Sequence, residues 1–106
     1  MEPALLLALR DTPDLHGYGL ADAVEALDRD ERVDLGNLYR LLRGLEEEGF
    51  VTSTWRDDLP GRAKRTYRLT VAGEDLLATW AESLGGARAT IDEFMRRYGR
   101  DDEGGA

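Results

Sequence analysis

With 106 residues, 42% of them hydrophobic and 34% charged, the chain has the composition of one soluble domain with a small core, which self-association would supplement. The absence of cysteine and the single histidine, His16, exclude disulfides, thiolate chemistry and the Cys/His clusters that hold zinc. A net charge of −8 repels a polyanion at long range, so a nucleic-acid surface requires cations gathered locally. No apolar run approaches the roughly 18 residues of a membrane-spanning helix, and the apolar residues 5–9 lack the basic flank of a secretion signal. The cytoplasm is the expected compartment, with no membrane contact. Neither Ser53 nor Ser83 lies in a nucleophile-elbow context. The chain does not read as an enzyme, and no catalytic residue, metal or cofactor is expected.

In chain order, residues 2–10 read as a short helix with Pro3 in its first turn, broken at residues 11–14. A second helix begins at Gly17 or Tyr18 and runs to about Asp28, with Leu20, Val24 and Leu27 forming its apolar face. Residues 28–32 are a charged loop. Residues 34–51 form the third helix. At 100° per residue, Leu35, Leu38, Leu41, Leu42 and Leu45 gather on one side, with Arg40 and Arg43 opposite and Asn37 and Tyr39 flanking them. Glu46, Glu47 and Glu48 follow as a solvated end before Gly49 stops the helix. Residues 50–56 favour a strand, residues 57–61 a turn marked by Pro60-Gly61, and Lys64 to Leu69 a returning strand. This hairpin is basic: Arg56, Arg62, Lys64, Arg65 and Arg68 face only Asp57 and Asp58.

Thr70 is placed to cap the last helix, whose first turn carries Glu74 and Asp75 at the positive end of the dipole. Leu77, Trp80, Leu84, Ala87, Ile91, Phe94 and Tyr98 recur at alternating steps of three and four, a heptad seam. The seam exceeds what so small a domain can cover. Its proximal part is expected on the chain's own first helix and its distal half on a second subunit. Gly85 and Gly86 lie off the seam and permit a bend, and the acidic, glycine-rich residues 99–106 are expected to be disordered.

The predicted fold is mainly α with a small β-hairpin: a winged helix-turn-helix domain over residues 1–70, a dimerisation helix over 71–98, and the tail 99–106. Such a domain leads into the major groove with the N-terminal residues of its recognition helix. Here those residues are Asn37, Tyr39, Arg40 and Arg43; asparagine suits adenine and arginine suits guanine. Arg62, Lys64 and Arg65 on the wing suit phosphates, which give affinity without sequence choice. Blander roles stand beside these: His16 as a cap or packing residue, Arg40 and Arg43 as a solvated face, Trp80 as seam core instead of the wall of a ligand pocket. The acidic total also fits a winged-helix interaction module that does not bind DNA.

His16-Gly17-Tyr18-Gly19-Leu20, Gly36-Asn37-Leu38-Tyr39-Arg40 running on to Leu45-Glu46-Glu47-Glu48-Gly49-Phe50-Val51, and Gly61-Arg62-Ala63-Lys64-Arg65-Thr66-Tyr67-Arg68-Leu69-Thr70 with Gly73 together resemble the PadR family of transcriptional regulators, over roughly residues 4–77. The single long C-terminal helix is similar to that of the family's compact subgroup. Leu35 departs from the pattern, since the family usually carries Ser or Pro before Gly36. The resemblance implies a homodimeric repressor of double-stranded operator DNA, often released by a small-molecule effector.

Overall fold

The computed structural model describes residues 1–56 and 64–105, with side chains placed through residue 99. Its elements are α1 (Glu2–Asp11), β1 (Leu15–His16), α2 (Gly17–Leu27), α3 (Leu35–Glu47), β2 (Val51–Arg56), β3 (Lys64–Leu69) and α4 (Val71–Gly105). The fold is mainly helical with a small antiparallel sheet, as the hydrophobic periodicities predict. The sheet has three strands in the order β1-β3-β2, one more than the expected hairpin. The added strand β1 pairs Leu15 with Tyr67 and His16 with Thr66. Asp14 turns the chain into it with φ of 66°, a left-handed conformation that aspartate tolerates better than most side chains. Its backbone N–H donates to the Tyr67 carbonyl at 3.0 Å. Its carboxylate accepts two bonds from Arg68, at 2.7 and 2.8 Å.

Leucines of the first three helices make the core. Leu5, Leu6 and Leu9 of α1, Leu20 and Val24 of α2, and Leu38, Leu42 and Leu45 of α3 are buried, with Val51 and Tyr67 closing the sheet side. Leu27, expected on the apolar face of α2, is exposed. It is the last residue of that helix, and the chain turns to extended backbone at Asp28 before a core neighbour reaches it.

The junction between α3 and α4 is closely specified. Gly49 has φ of 85°. Its N–H donates to the Glu46 carbonyl at 3.1 Å and that of Phe50 to the Leu45 carbonyl at 2.8 Å, the pair of bonds that closes a helix through a left-handed glycine. The Thr70 hydroxyl donates to the Gly49 carbonyl at 2.6 Å and accepts from the N–H of Gly73 at 3.0 Å, so one side chain caps α4 and ties it to the end of α3. Thr70 N–H also donates to the Phe50 carbonyl at 3.1 Å. A Cβ at residue 73 would collide with that same carbonyl, which accounts for Gly73 in the first turn of α4.

α4 has 35 residues and makes the molecule long, with principal extents of 64 × 26 × 21 Å. Leu76, Leu77 and Trp80 pack against the core. Beyond them the helix has no neighbour within the chain: Leu84, Ile91, Phe94 and Tyr98 are all exposed. Gly85 and Gly86 do not interrupt it. It also continues to Gly105, where residues 99–106 were expected to be disordered. No proline breaks the frame, and Glu93 pairs with Arg97 at 2.8 Å and with Arg96, holding the turns that lead into the last segment. Among the described residues no helix is long and apolar enough to cross a membrane.

Candidate nucleic-acid interface

α3 begins at Leu35. The Asp34 carboxylate caps it by accepting from Gly36 N–H at 2.9 Å, so capping falls to the residue before the departure from the family pattern. With Leu38, Leu42 and Leu45 turned inward, the predicted DNA-binding residues of this helix divide between two flanks. Asn37 and Arg40 share one, where Arg40 Nη1 donates to Asn37 Oδ1 at 2.8 Å. Tyr39 and Arg43 share the other, which faces the sheet.

On the sheet side, the Tyr39 ring lies over the start of α2, where a Cβ at Gly17 would collide with its hydroxyl. Tyr39 thus packs α3 onto α2 while remaining 42% exposed. His16 serves as a cap, its Nδ1 accepting from Gly19 N–H at 3.3 Å, the blander of its two expected roles. Arg43, one turn beyond Tyr39, makes no hydrogen bond or ion pair with another described residue.

Glu46 departs from the solvated end expected for residues 46–48. Its carboxylate accepts from Ser53 Oγ at 2.7 Å and from Arg65 Nη2 at 3.1 Å, while Arg65 Nε donates to Ser53 Oγ at 2.8 Å. Helix and wing are tied together by this triangle, and Arg65, expected to bind phosphate, spends its donors inside the molecule. Glu47 and Glu48 are exposed as expected. Lys64, at the start of β3, is exposed and unpaired among the described residues. Arg62 lies outside them. On β3 the Arg68 guanidinium holds the Asp14 carboxyl below its ordinary value, chiefly through their hydrogen bond, and burial pushes the Tyr67 hydroxyl up.

Between this flank of α3 and the wing lies a cleft of about 540 Å³ lined by Tyr18, Tyr39, Arg43, Trp55, Lys64 and Tyr67 among others. Trp55 is 66% exposed. Sequence reading places it on the wing strand without a role, although strand alternation from the buried Val51 through Ser53 points it at α3. Ser53 could have been found in the same way; Glu46 could not, because its partner is distant in sequence. Of the predicted seam, Leu77 and Trp80 lie on the chain's own core, and Trp80 Nε1 donates to Glu2 Oε2 at 2.7 Å. Leu84, Ala87, Ile91, Phe94 and Tyr98 are exposed, with the Phe94 and Tyr98 rings stacked 6.5 Å apart. No group of His, Cys, Asp or Glu among the described residues could hold a metal ion.

Residues 5–79 match the transcriptional regulator PadR-like family. The chain belongs to that family. A search of curated proteins finds no match. Among solved structures, a candidate transcriptional regulator from Thermoplasma acidophilum is similar at 28% identity and a TM-score of 0.73, covering 89% of this chain and 88% of that one. Bacillus subtilis PadR, solved in complex with operator DNA, is 28% identical with a TM-score of 0.66 over 76% of this chain and 45% of that longer one. A PadR-like regulator from Bacillus cereus, 21% identical, shares the fold with a TM-score of 0.77 over 89% of each chain. The protein is a PadR-family transcriptional regulator. Its family and winged-helix fold are those of DNA-binding regulators and not of enzymes.

Proposed function

We propose that this PadR-family protein is a homodimeric repressor that binds a specific operator through α3 and the wing. The observation that carries the reading is where the cations stand. In a chain of net charge −8, Arg40, Arg43 and Lys64 are exposed on α3 and the adjoining strand, and none of the three forms an ion pair with another described residue. The DNA complex of Bacillus subtilis PadR supports the same assignment. Arg40 and Asn37 read bases, while Arg43 and Lys64, with Arg62, anchor phosphates; Tyr39 and Arg65 act from behind by holding α2 and the wing.

The second subunit is supported by the exposed distal seam. Its heptad spacing and apolar side chains suit a second α4, with Leu84, Ala87, Ile91, Phe94 and Tyr98 at the contact and Leu77 and Trp80 at its inner end. A small-molecule effector reaching Trp80 would act at its bond to Glu2, where α4 meets α1, and its effect would be release from DNA. The protein's place of action is the cytoplasm.

Selection of bound fragments from random or genomic DNA by the purified protein, with its mass measured alongside, tests the reading. The expected result is a dimer and a two-fold site with half-sites about 34 Å apart. If about six to eight phosphates are neutralised, log affinity falls with log salt at a slope of roughly −5 to −7. Capture of a protein partner with no DNA recovered at low salt would instead identify an interaction module.

A further inference from the structure

The sheet face that looks toward α3 runs outward through three cross-strand pairs: Val51 with Leu69, Ser53 with Tyr67, and Trp55 with Arg65. Val51 is in the core. Ser53 is satisfied by Glu46 of α3. At the third pair the guanidinium is drawn back to Glu46, and the indole remains in the cleft, 66% exposed. Tyr18, equally exposed, lines the same cleft, as do Arg43 and Lys64, whose charges are unpaired among the described residues. Glu46, the cleft's acidic group, is neutralised by Arg65. The cleft therefore offers an apolar aromatic surface with cations of one sign beside it. A lone phosphate would need only the cations. A sugar–phosphate strand has both parts, since deoxyribose presents apolar carbon to an aromatic face and the phosphates on either side carry the charge.

We propose that this cleft seats one sugar–phosphate strand of the bound DNA, with the Trp55 indole packed against deoxyribose and Arg43 and Lys64 on the flanking phosphates. Trp55 is then a DNA-contacting residue of the wing. This rests on the DNA-binding function proposed above and adds a contact that neither the cations nor the bases supply. Because every nucleotide carries the same sugar, the contact raises affinity for all sequences alike.

The test uses the full chain and a DNA fragment recovered by selection. DNA should protect Trp55 from acrylamide quenching in the wild type, and the protection should disappear in Trp55→Phe, which leaves Trp80 as the remaining indole. Trp55→Ala should weaken binding about tenfold, the scale of one aromatic contact to a nucleotide, on cognate and unrelated fragments alike and without altering the salt slope. Trp55→Phe, which keeps a ring, should recover most of that loss. Arg43→Ala and Lys64→Ala should each reduce the salt slope by about one. Unchanged affinity of Trp55→Ala, or quenching in the wild type that DNA leaves untouched, would overturn the proposal while the wild type still bound DNA. A wild type that bound no fragment would remove the DNA-binding function itself, so the two failures are told apart.

Discussion

The Tyr39 ring occupies the space that a side chain at Gly17 would fill, so the first residue of α2 and the exposed flank of α3 are fitted to one another. Gly17→Ala should displace the ring and destabilise the fold by about 1–3 kcal/mol, the usual range for overpacking. A urea midpoint that falls at constant m-value would check it. Tyr39→Phe keeps the ring and should cost much less.

Gly73 meets backbone where Gly17 meets a side chain. The Phe50 carbonyl, which blocks a Cβ there, cannot swing away as a tyrosine can, so Gly73→Ala should be the more damaging of the two glycine changes. Thr70→Val removes a helix cap and its bond to Gly49, and should cost about 1 kcal/mol in the same denaturation series. A Thr70→Ser variant, retaining the hydroxyl, should restore most of it.

The wing's cations divide by what they touch. Arg43→Ala should weaken binding to every fragment and flatten its salt dependence. Arg65→Ala should weaken binding while changing the slope less, because that guanidinium is engaged by Glu46 and Ser53; Glu46→Gln should then mimic part of its effect. Arg40→Ala is expected to change the preferred site in a repeated selection. Identical behaviour of Arg40 and Arg43 variants would contradict the division between base reading and anchoring.

The Asp14 carboxyl is held below its ordinary value of 3.8 by the hydrogen bond from Arg68. A carboxyl depressed in the folded state contributes stability that is present above its unfolded value and lost as pH falls through the folded one. Thermal melts between neutral pH and pH values below 3.8 should therefore show part of the acid loss removed in Asp14→Asn. Glu93, lowered from 4.5 chiefly by Arg96, should contribute similarly, and Glu93→Gln separates the two.

Charge placed on the distal seam should dissociate the proposed dimer. Ile91→Asp and Phe94→Asp put carboxylates on an exposed face, so a folded monomer by sedimentation is the expected outcome. DNA affinity should fall with the loss of the second half-site. Unaltered mass in both variants would place the partner surface elsewhere.

Much of this architecture was legible because helix and strand periods act over many residues. The leucines of α3 and the stop at Gly49 needed no tertiary information. β1 was hidden because a strand of two residues has no period to read; it exists through pairing with β3. Tyr39 looked like a free groove residue since its partner, Gly17, has no side chain to advertise a contact. The Glu46–Ser53–Arg65 triangle joins positions up to 19 apart in sequence, and reading the acids as a group hid that one of them turns toward the wing.

Thr70 and Gly73 fasten the base of α4 onto the residues that terminate α3, leaving no loop between them to absorb a change of angle. The long helix is therefore a lever whose fulcrum is the Gly49–Phe50 peptide. A small rotation of one seam against its neighbour is delivered to the reading face as a displacement that grows with distance from the pivot. Signal and spacing are transmitted through a mechanical linkage, and slackening it at Thr70 would uncouple the two ends while each remained folded.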